Sequence, residues 1–175
     1  MDPVNTNLLS SLALRCVGLS REEYVRSYPQ PFLVQTSFGP SDPHEVGFFT
    51  SSSDGASQQG IREALVKLPV FPLIKRSGAS FEGMISVGRA PANDVYLNLP
   101  NISKFHAYFK RVGARWQLTD YNSMNGTFVA GEQLVANVAR TLESSVQVSF
   151  DRNPVFLFKQ PEEMYDYMEQ IQSLI

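Results

Sequence analysis

The feature that most constrains the fold is a succession of short apolar segments between residues 64 and 160, separated by turn-forming residues. Many short strands with such punctuation are typical of a β-sandwich or a β-barrel. A tight hairpin is predicted at Gly113-Ala114, because glycine tolerates the backbone angles of a short turn. We predict strands near Val66–Lys75, Gly83–Gly88, Val95–Leu97, His106–Val112, Arg115–Asp120, Thr127–Val129, Glu132–Leu134, Ala139–Leu142, Val146–Phe150 and Val155–Phe158.

The first part of the chain carries helical signals. Ser20 and Glu23 have the spacing of a capping box, in which the serine caps the helix and the glutamate side chain reaches back to it. This helix should end at Tyr28, because Pro29 and Pro31 disfavour helical geometry in the residues before them. We therefore predict that residues 8–27 are helical, with an apolar face formed by Leu8, Leu9, Leu12 and Cys16.

Two short strands, Phe32–Val34 and Val46–Thr50, and a Ser-rich loop at residues 51–57 are predicted to follow. The chain should then close with an amphipathic helix at Pro161–Ile175 after the last strand. The apolar stripe of this helix contains Met164, Met168, Ile171 and Ile175.

These patterns divide the chain into an N-terminal extension at residues 1–63, a β-domain at residues 64–160 and a C-terminal helix at residues 161–175. By default the helices should cover an edge or a face of a sheet. The Met and Ile stripe is also a candidate surface for a homodimer through the terminal helices.

Composition argues against several kinds of site. Cys16 is the single cysteine, so no internal disulfide can form and a reducing compartment, the cytoplasm, is expected. His44 and His106 are too few for a zinc site built from Cys and His, and we expect neither a metal nor a cofactor. No apolar stretch approaches the roughly 20 residues of a membrane-spanning helix, and a secretory signal with a basic start is not expected.

The net charge of −2 is unevenly distributed along the chain. It is 0 over residues 1–81, +2 over residues 82–130 and −4 over residues 131–175. A nucleic-acid-binding protein needs a large basic face, which this distribution does not predict. The small positive excess over residues 82–130 suits a single phosphate group better.

Three hydrogen-bonding side chains stand in separate turns, each beside a predicted strand. Arg89 follows the strand that ends at Gly88 and offers a charged donor fork. Ser103 offers a neutral hydroxyl donor, and the turn at Asn125-Gly126 can aim an amide. Together these groups would hold a phosphate without reacting with it.

The order and spacing of these residues resemble the forkhead-associated (FHA) domain, a β-sandwich that binds phosphothreonine. The resemblance implies about eleven strands in two sheets, to which the N-terminal helical extension and the C-terminal helix are added. It further implies a non-enzymatic adaptor for a phosphothreonine-containing protein or peptide, with a Ser/Thr kinase as a candidate partner. The matching positions are Gly88-Arg89, Asn93-Asp94-Val95, Leu97 and residues 103–107, 116–120 and 123–129.

The resemblance also implies roles for single residues. Arg89 and Ser103 would contact the phosphate, and Lys104 would be a further phosphate contact. Asn125 would bond the main chain of the bound peptide and so set its register. Support of the loops, including the attachment of the Ser103 loop, is expected of Gly88, His106 and Gly126.

Two positions differ from the family pattern. Met124 stands where the family often has Thr or another small polar residue, which removes one contact. The segment Asp151–Pro154 replaces a glycine turn between the last strands, and we expect this change to leave the phosphate site unaltered.

Two other functions remain open. Ser103, His106 and Asp120 have the residue types of a hydrolase triad, although no Gly-x-Ser-x-Gly sequence surrounds the serine. The β-domain could instead be an interaction scaffold that does not need phosphate, since a fold does not determine the function of its site.

Overall fold

The computed structural model describes residues 7–36, 67–78 and 81–174. Within these ranges the chain forms two sheets and three helices. The elements are β1 (Asn7–Leu8), α1 (Leu9–Arg15), α2 (Arg21–Ser27), β2 (Phe32–Gln35), β3 (Pro69–Pro72), β4 (Ile85–Gly88), β5 (Val95–Tyr96), β6 (Ala107–Val112), β7 (Arg115–Asp120), β8 (Thr127–Val129), β9 (Glu132–Gln133), β10 (Arg140–Thr141), β11 (Gln147–Phe150), β12 (Val155–Lys159) and α3 (Pro161–Leu174).

The larger sheet has seven strands in the order β1-β3-β2-β12-β11-β8-β9, and the smaller has five in the order β10-β7-β6-β4-β5. Strands β4 and β5 are parallel, and the other neighbouring strands are antiparallel. Val112 pairs with Arg115, which confirms the hairpin predicted at Gly113-Ala114. The predicted fold class, a mainly β sandwich of two sheets with helices at both ends, is confirmed.

Strands β2 and β12 are neighbours inside the larger sheet and are buried on both faces. Leu33 of β2 packs in the cluster between the two sheets, whereas Phe32 and Val34 pack in the cluster between the larger sheet and the helices. In β12 the two phenylalanines face the smaller sheet, and Leu157 faces the helices. Because neither face meets water, the sequence of these strands is continuously apolar and does not alternate.

Helix α3 lies in the helical layer that covers the larger sheet. Met164, Met168 and Ile171 are buried in the same cluster as Leu9 and Tyr24. This confirms that the helices cover a face of the sheet. It also corrects the suggestion that the Met and Ile stripe is a dimer surface, because the described part of the stripe is used within the chain. Ile175 lies outside the described residues, and a homodimer through other surfaces of the terminal helices stays a prediction.

Residues 8–27 form two helices, α1 and α2, with a turn between them, and the second helix begins at the predicted N-cap Ser20. The helical prediction fails at Leu8, which lies in β1, and in this turn. Gly18 has φ +80°, a conformation that favours glycine and that no α-helix continues through. The capping box is confirmed: Ser20 Oγ accepts from the Glu23 N–H (3.3 Å), and the Ser20 N–H donates to Glu23 Oε2 (2.8 Å). Helix α2 ends just before Tyr28, as predicted.

The sandwich takes strands from both sides of residue 64. β1 and β2 precede that residue, and β2 pairs with both β3 and β12. Whether the three predicted segments are separate units stays a prediction. The predicted strand Val46–Thr50 and the Ser-rich loop lie outside the described residues. Among the helices that the structure describes, none has the length and apolar character required to cross a bilayer.

Candidate functional site

Three loops meet at one end of the sandwich and carry the predicted site residues. They are residues 89–94 after β4, residues 97–106 before β6 and residues 121–126 between β7 and β8. The Arg89 N–H donates to Ser103 O (2.9 Å), and the Ala90 N–H donates to Lys104 O (3.0 Å), which joins the first loop to the second. The Met124 N–H donates to Ser103 Oγ (3.0 Å), which joins the second loop to the third.

Arg89 is exposed at the start of the first loop. Its Nε donates to Ile102 O at 3.1 Å, which ties the base of the guanidinium to the second loop. Among the described residues, the two terminal nitrogens have no hydrogen-bond partner. The guanidinium therefore presents its free donor edge beside the backbone of Ser103.

His106 lies beneath the loops and is fully buried. Its Nδ1 accepts from the Ser103 N–H (3.1 Å), and its Nε2 lies 3.1 Å from Gly126 O. A neutral ring protonated at Nε2 satisfies both contacts. Burial lowers the pKa of His106, although the Gly126 carbonyl and nearby carboxylates act in the opposite direction. These are the contacts that the predicted attachment of the Ser103 loop requires.

Gly88 is placed where no side chain fits. A Cβ at this position would collide with the Lys104 carbonyl and would lie 2.9 Å from Asn93 Nδ2. That amide donates to Lys104 O (2.7 Å) and Ala90 O (2.8 Å), so it joins the first two loops just where a Cβ would intrude. Gly126 has φ +85° and would direct a Cβ into the Gln133 side chain.

Asn125 is exposed, and its Nδ2 donates to Asn101 O (2.9 Å). The Asn101 side chain in turn donates to Asp151 Oδ2 (2.9 Å) and Asn153 O (2.8 Å). The Asp151 N–H donates to Gly126 O (2.8 Å). The Asp151–Pro154 turn therefore contacts the loop on which Asn125 depends, and that this turn leaves the phosphate site unaltered stays a prediction.

Lys104 and Met124 project from the loop surface. The Lys104 side chain is exposed, while its carbonyl is occupied by Ala90 and Asn93 as described above. Met124 is 89 % exposed and contributes only its backbone N–H to the described contacts. The small polar side chain that the family often has at this position would be equally exposed.

Two buried aspartates hold these loops, and sequence reasoning assigned no supporting role to either. Asp94 accepts from the Arg76 N–H (2.7 Å), from the N–H and hydroxyl of Ser86 (2.8 and 2.9 Å) and from Lys75 Nζ (2.9 Å). Burial alone would raise the pKa of Asp94, but these hydrogen bonds outweigh it and hold the pKa below its usual range. Asp94 thus anchors the end of the first loop as a carboxylate.

Asp120 anchors the third loop. It accepts from the Ser123 N–H (3.0 Å), from the Ser123 hydroxyl and from the Thr127 hydroxyl (2.6 Å). Aspartate side chains commonly accept from backbone groups a few residues further on in turns, so the position of Asp120 at the start of this turn could have suggested its role. The partners of Asp94 are 8 to 19 residues distant in sequence, so no local pattern reveals them.

The hydrolase arrangement is not present among the described residues. Both ring nitrogens of His106 face backbone groups, and the Ser103 hydroxyl contacts the Met124 backbone. Asp120 contacts Ser123 and Thr127 instead of the imidazole. A triad requires the histidine to accept the serine proton while the aspartate orients the ring, and this geometry provides neither contact.

Residues 85–151, which include all three loops, match the family model of the FHA domain. The chain contains an FHA domain. The match runs from β4 through β11, so it contains the whole smaller sheet and part of the larger one. Strands β1, β2, β3 and β12 and the three helices lie outside the matched residues and complete the FHA sandwich of this chain.

Two curated relatives are similar to about half of this chain. It is 32% identical over 89 residues to an oxoglutarate dehydrogenase inhibitor from Corynebacterium jeikeium, which covers 47% of this chain and 61% of the relative. It is 29% identical over 96 residues to the glycogen accumulation regulator GarA of Mycobacterium tuberculosis, covering 48% and 59%. The chain therefore spans about three fifths of the length of these relatives.

A solved structure has a similar fold over most of the chain. It is an engineered FHA domain with a Myc-pTBD peptide, which aligns with a TM-score of 0.50 and 16% identity and covers 83% of this chain and 98% of the other. At this identity the likeness concerns the sandwich fold alone.

Proposed function

We propose that this protein is a non-enzymatic module that recognises phosphothreonine in a partner protein and acts as an adaptor in Ser/Thr-kinase-dependent signalling. The observation that carries the proposal is the convergence of three loops, which brings the free edge of Arg89, the hydroxyl of Ser103 and the amide of Asn125 to one end of an FHA sandwich. Arg89 and Ser103 bind the phosphate, and Lys104 adds a second positive charge. Gly88, His106 and Gly126 support the loops.

The charges around the site favour a phosphate dianion. Arg89 and Lys104 are exposed cations on adjoining loops. The nearest buried carboxylates, Asp94 and Asp120, are each 3% exposed and are occupied by internal hydrogen bonds. A ligand at the loop surface therefore meets the cations directly, while these two anions are turned into the protein.

Asn125 supplies a polar contact beside the phosphate position. One Nδ2 hydrogen is used on Asn101 O, which leaves the other hydrogen and the carbonyl oxygen of this exposed amide. An amide held by its neighbour is preorganised, so less conformational entropy is lost when it bonds the main chain of a peptide. This contact would set the register of the peptide relative to the phosphothreonine.

The relatives support a regulatory role without catalysis. One relative is an oxoglutarate dehydrogenase inhibitor and the other is a glycogen accumulation regulator, and each is similar to about half of this chain. We infer a cytoplasmic protein whose partner is a phosphothreonine-containing protein marked by a Ser/Thr kinase. Three or four hydrogen bonds to a charged group, at about 1.5–3 kcal/mol each, are enough for micromolar affinity after ordering costs.

The test is binding of a degenerate phosphothreonine peptide library and of its unphosphorylated counterpart, measured by fluorescence anisotropy. Arg89→Ala should weaken phosphopeptide binding at least about 30-fold, since it removes a charge-assisted contact of about 2 kcal/mol or more. Arg89→Lys keeps the charge but loses the fork, and should recover only part of the affinity. Arg115→Ala is the matched control, because it removes one exposed charge at the opposite end of β7.

Three results would contradict the proposal. Equal binding of phosphorylated and unphosphorylated peptides would favour a scaffold that does not need phosphate. Equal losses in Arg89→Ala and Arg115→Ala would show that only overall charge matters. Hydrolysis of an ester substrate that disappears in Ser103→Ala would establish an enzyme.

A further inference from the structure

Four aromatic rings form a connected row beside the phosphate loops. Phe105, which directly follows Lys104, lies 5.1 Å from Phe81 between ring centroids and 4.8 Å from Tyr121, in an edge-to-face contact. Tyr121 contacts Tyr108 at 6.5 Å. We call these four residues the aromatic row.

Much of the aromatic row is open to solvent. Phe81 is 53% exposed and Tyr121 is 51% exposed. Single exposed apolar side chains need no explanation, but neighbouring exposed rings form a patch of the kind that marks a binding surface. Phe81 also has φ +69°, a conformation that is uncommon for a bulky residue. A side chain kept in this conformation and left half exposed is not explained by packing of the core.

A depression of about 190 Å³ lies between the aromatic row and the first loop of the site. Phe81 and Phe105 form one part of its lining, and Ala90 and Ala92 form another. Lys104 also lines it, so the depression is continuous with the surface proposed to bind phosphate. Its volume equals that of several water molecules, enough to receive one apolar side chain.

We propose that the aromatic row and this depression bind an apolar side chain, aliphatic or aromatic, that flanks the phosphothreonine of the partner. The inference rests on the proposed function, because it requires the phosphate to be held at Arg89 and Ser103. Asn125 contacts Asn101, which precedes Ser103 in the second loop, whereas Phe105 follows Ser103. The apolar contact is thus separate from the proposed main-chain contact and gives the site a sequence preference.

The test compares phosphothreonine peptide libraries in which each flanking position is varied in turn. Wild-type protein should select an aliphatic or aromatic residue over aspartate at one flanking position. Phe81→Ala should weaken binding of the selected peptide by roughly five- to tenfold and leave binding of the peptide with aspartate there unchanged. Phe81→Tyr should retain the preference, because it keeps the ring. Val112→Ala is the control, since Val112 is 48% exposed at the far end of β6.

The outcomes separate this inference from the proposed function. If wild type binds no phosphopeptide, or Arg89→Ala binds as well as wild type, the proposed function fails and the inference fails with it. If binding depends on phosphate and Arg89 but Phe81→Ala keeps the wild-type preference, the inference alone is overturned. It is also overturned if sedimentation shows a dimer that Phe81→Ala dissociates while the peptide preference is unchanged. Tyr121→Ala provides a second variant with the same expected loss, should Phe81→Ala fail to fold by circular dichroism.

Discussion

Replacement of His106 tests the loop support most directly. In His106→Ala the partly buried Ser103 N–H loses its acceptor, and a donor left without a partner away from water costs about 1–3 kcal/mol. The fully buried ring also leaves a cavity and gives up its edge-to-face contact with Phe150 at 5.7 Å, for about 2 kcal/mol more. Gly126 O keeps the hydrogen bond from the Asp151 N–H, so the loss of its contact with His106 costs little. We expect the free energy of unfolding to fall by about 3–5 kcal/mol.

Two conservative variants identify which contact carries this cost. The amide of His106→Asn places an acceptor near the position of Nδ1, whereas that of His106→Gln places a donor near the position of Nε2. Because Ser103 has no other acceptor for its N–H among the described contacts and Gly126 O has a second donor, the Asn variant should be the more stable. It should also retain more phosphopeptide affinity, since the Ser103 loop stays attached.

The assay is urea unfolding at pH 7.5, followed by the fluorescence of Trp116, which packs against the core. Phosphopeptide affinity of each variant is measured in parallel at concentrations of urea that leave the protein folded. A loss of unfolding free energy below about 1 kcal/mol in His106→Ala would refute the reasoning about the unpaired Ser103 N–H. Equal or greater stability of the Gln variant would show that the Nε2 contact, and not the Ser103 contact, matters more.

Three further predictions concern pH, a glycine and the sheet. The pKa of His106 is lowered in the folded protein, so the unfolded chain takes up the proton first as the pH falls. The free energy of unfolding should therefore decrease below about pH 6.5, with a slope of up to about 1.4 kcal/mol per pH unit. His106→Asn should show a smaller slope in urea titrations across pH 5 to 7. Gly88→Ala should cost about 2–4 kcal/mol and abolish phosphopeptide binding, because its Cβ displaces the Lys104 backbone. Gly113→Ala, where a Cβ meets no atom within 4 Å, should cost about 1–2 kcal/mol and leave binding unchanged. A chain restricted to residues 64–175 should show no cooperative thermal transition by circular dichroism, because it lacks β2 and the two helices that pack against α3. A sharp transition would instead establish that the β-domain folds independently.

Patterns within a few residues were sufficient to predict much of this fold. The capping box of Ser20 and Glu23 and the hairpin at Gly113-Ala114 depend on neighbours in sequence, and both are found. The capping box also marks the start of α2, whereas the end of α1 was not assigned to Gly18, although a glycine is a local signal for the end of a helix. The pairing of β2 with β12 connects residues more than 120 positions apart, so only the tertiary structure reveals it.

Prediction of the site was likewise limited to residues that are close in sequence. Arg89, Ser103 and Asn125 were predicted as site residues because turn residues beside strands form a local pattern, and the structure brings their loops together. The part played by Asp94 was not predictable, since its carboxylate accepts from two separate segments of the chain, at Lys75-Arg76 and at Ser86. The part played by the Asp151–Pro154 turn was not predictable either, because Asp151 contacts the site loops through Asn101, 50 residues earlier in the chain.

The polar groups of this site fall into two sets that should respond differently to mutation. One set uses its hydrogen bonds within the protein and consists of His106, Asp94, Asp120 and Asn101, of which the first three are buried. Arg89 retains donors that no described residue uses, and it is exposed. Variants of the first set should therefore lose stability and affinity together, while Arg89→Ala should lose affinity with little loss of stability. A ligand bound mainly by Arg89 then meets donors whose positions the first set has already determined, and this preorganisation is what a small anion requires of loops that are otherwise exposed.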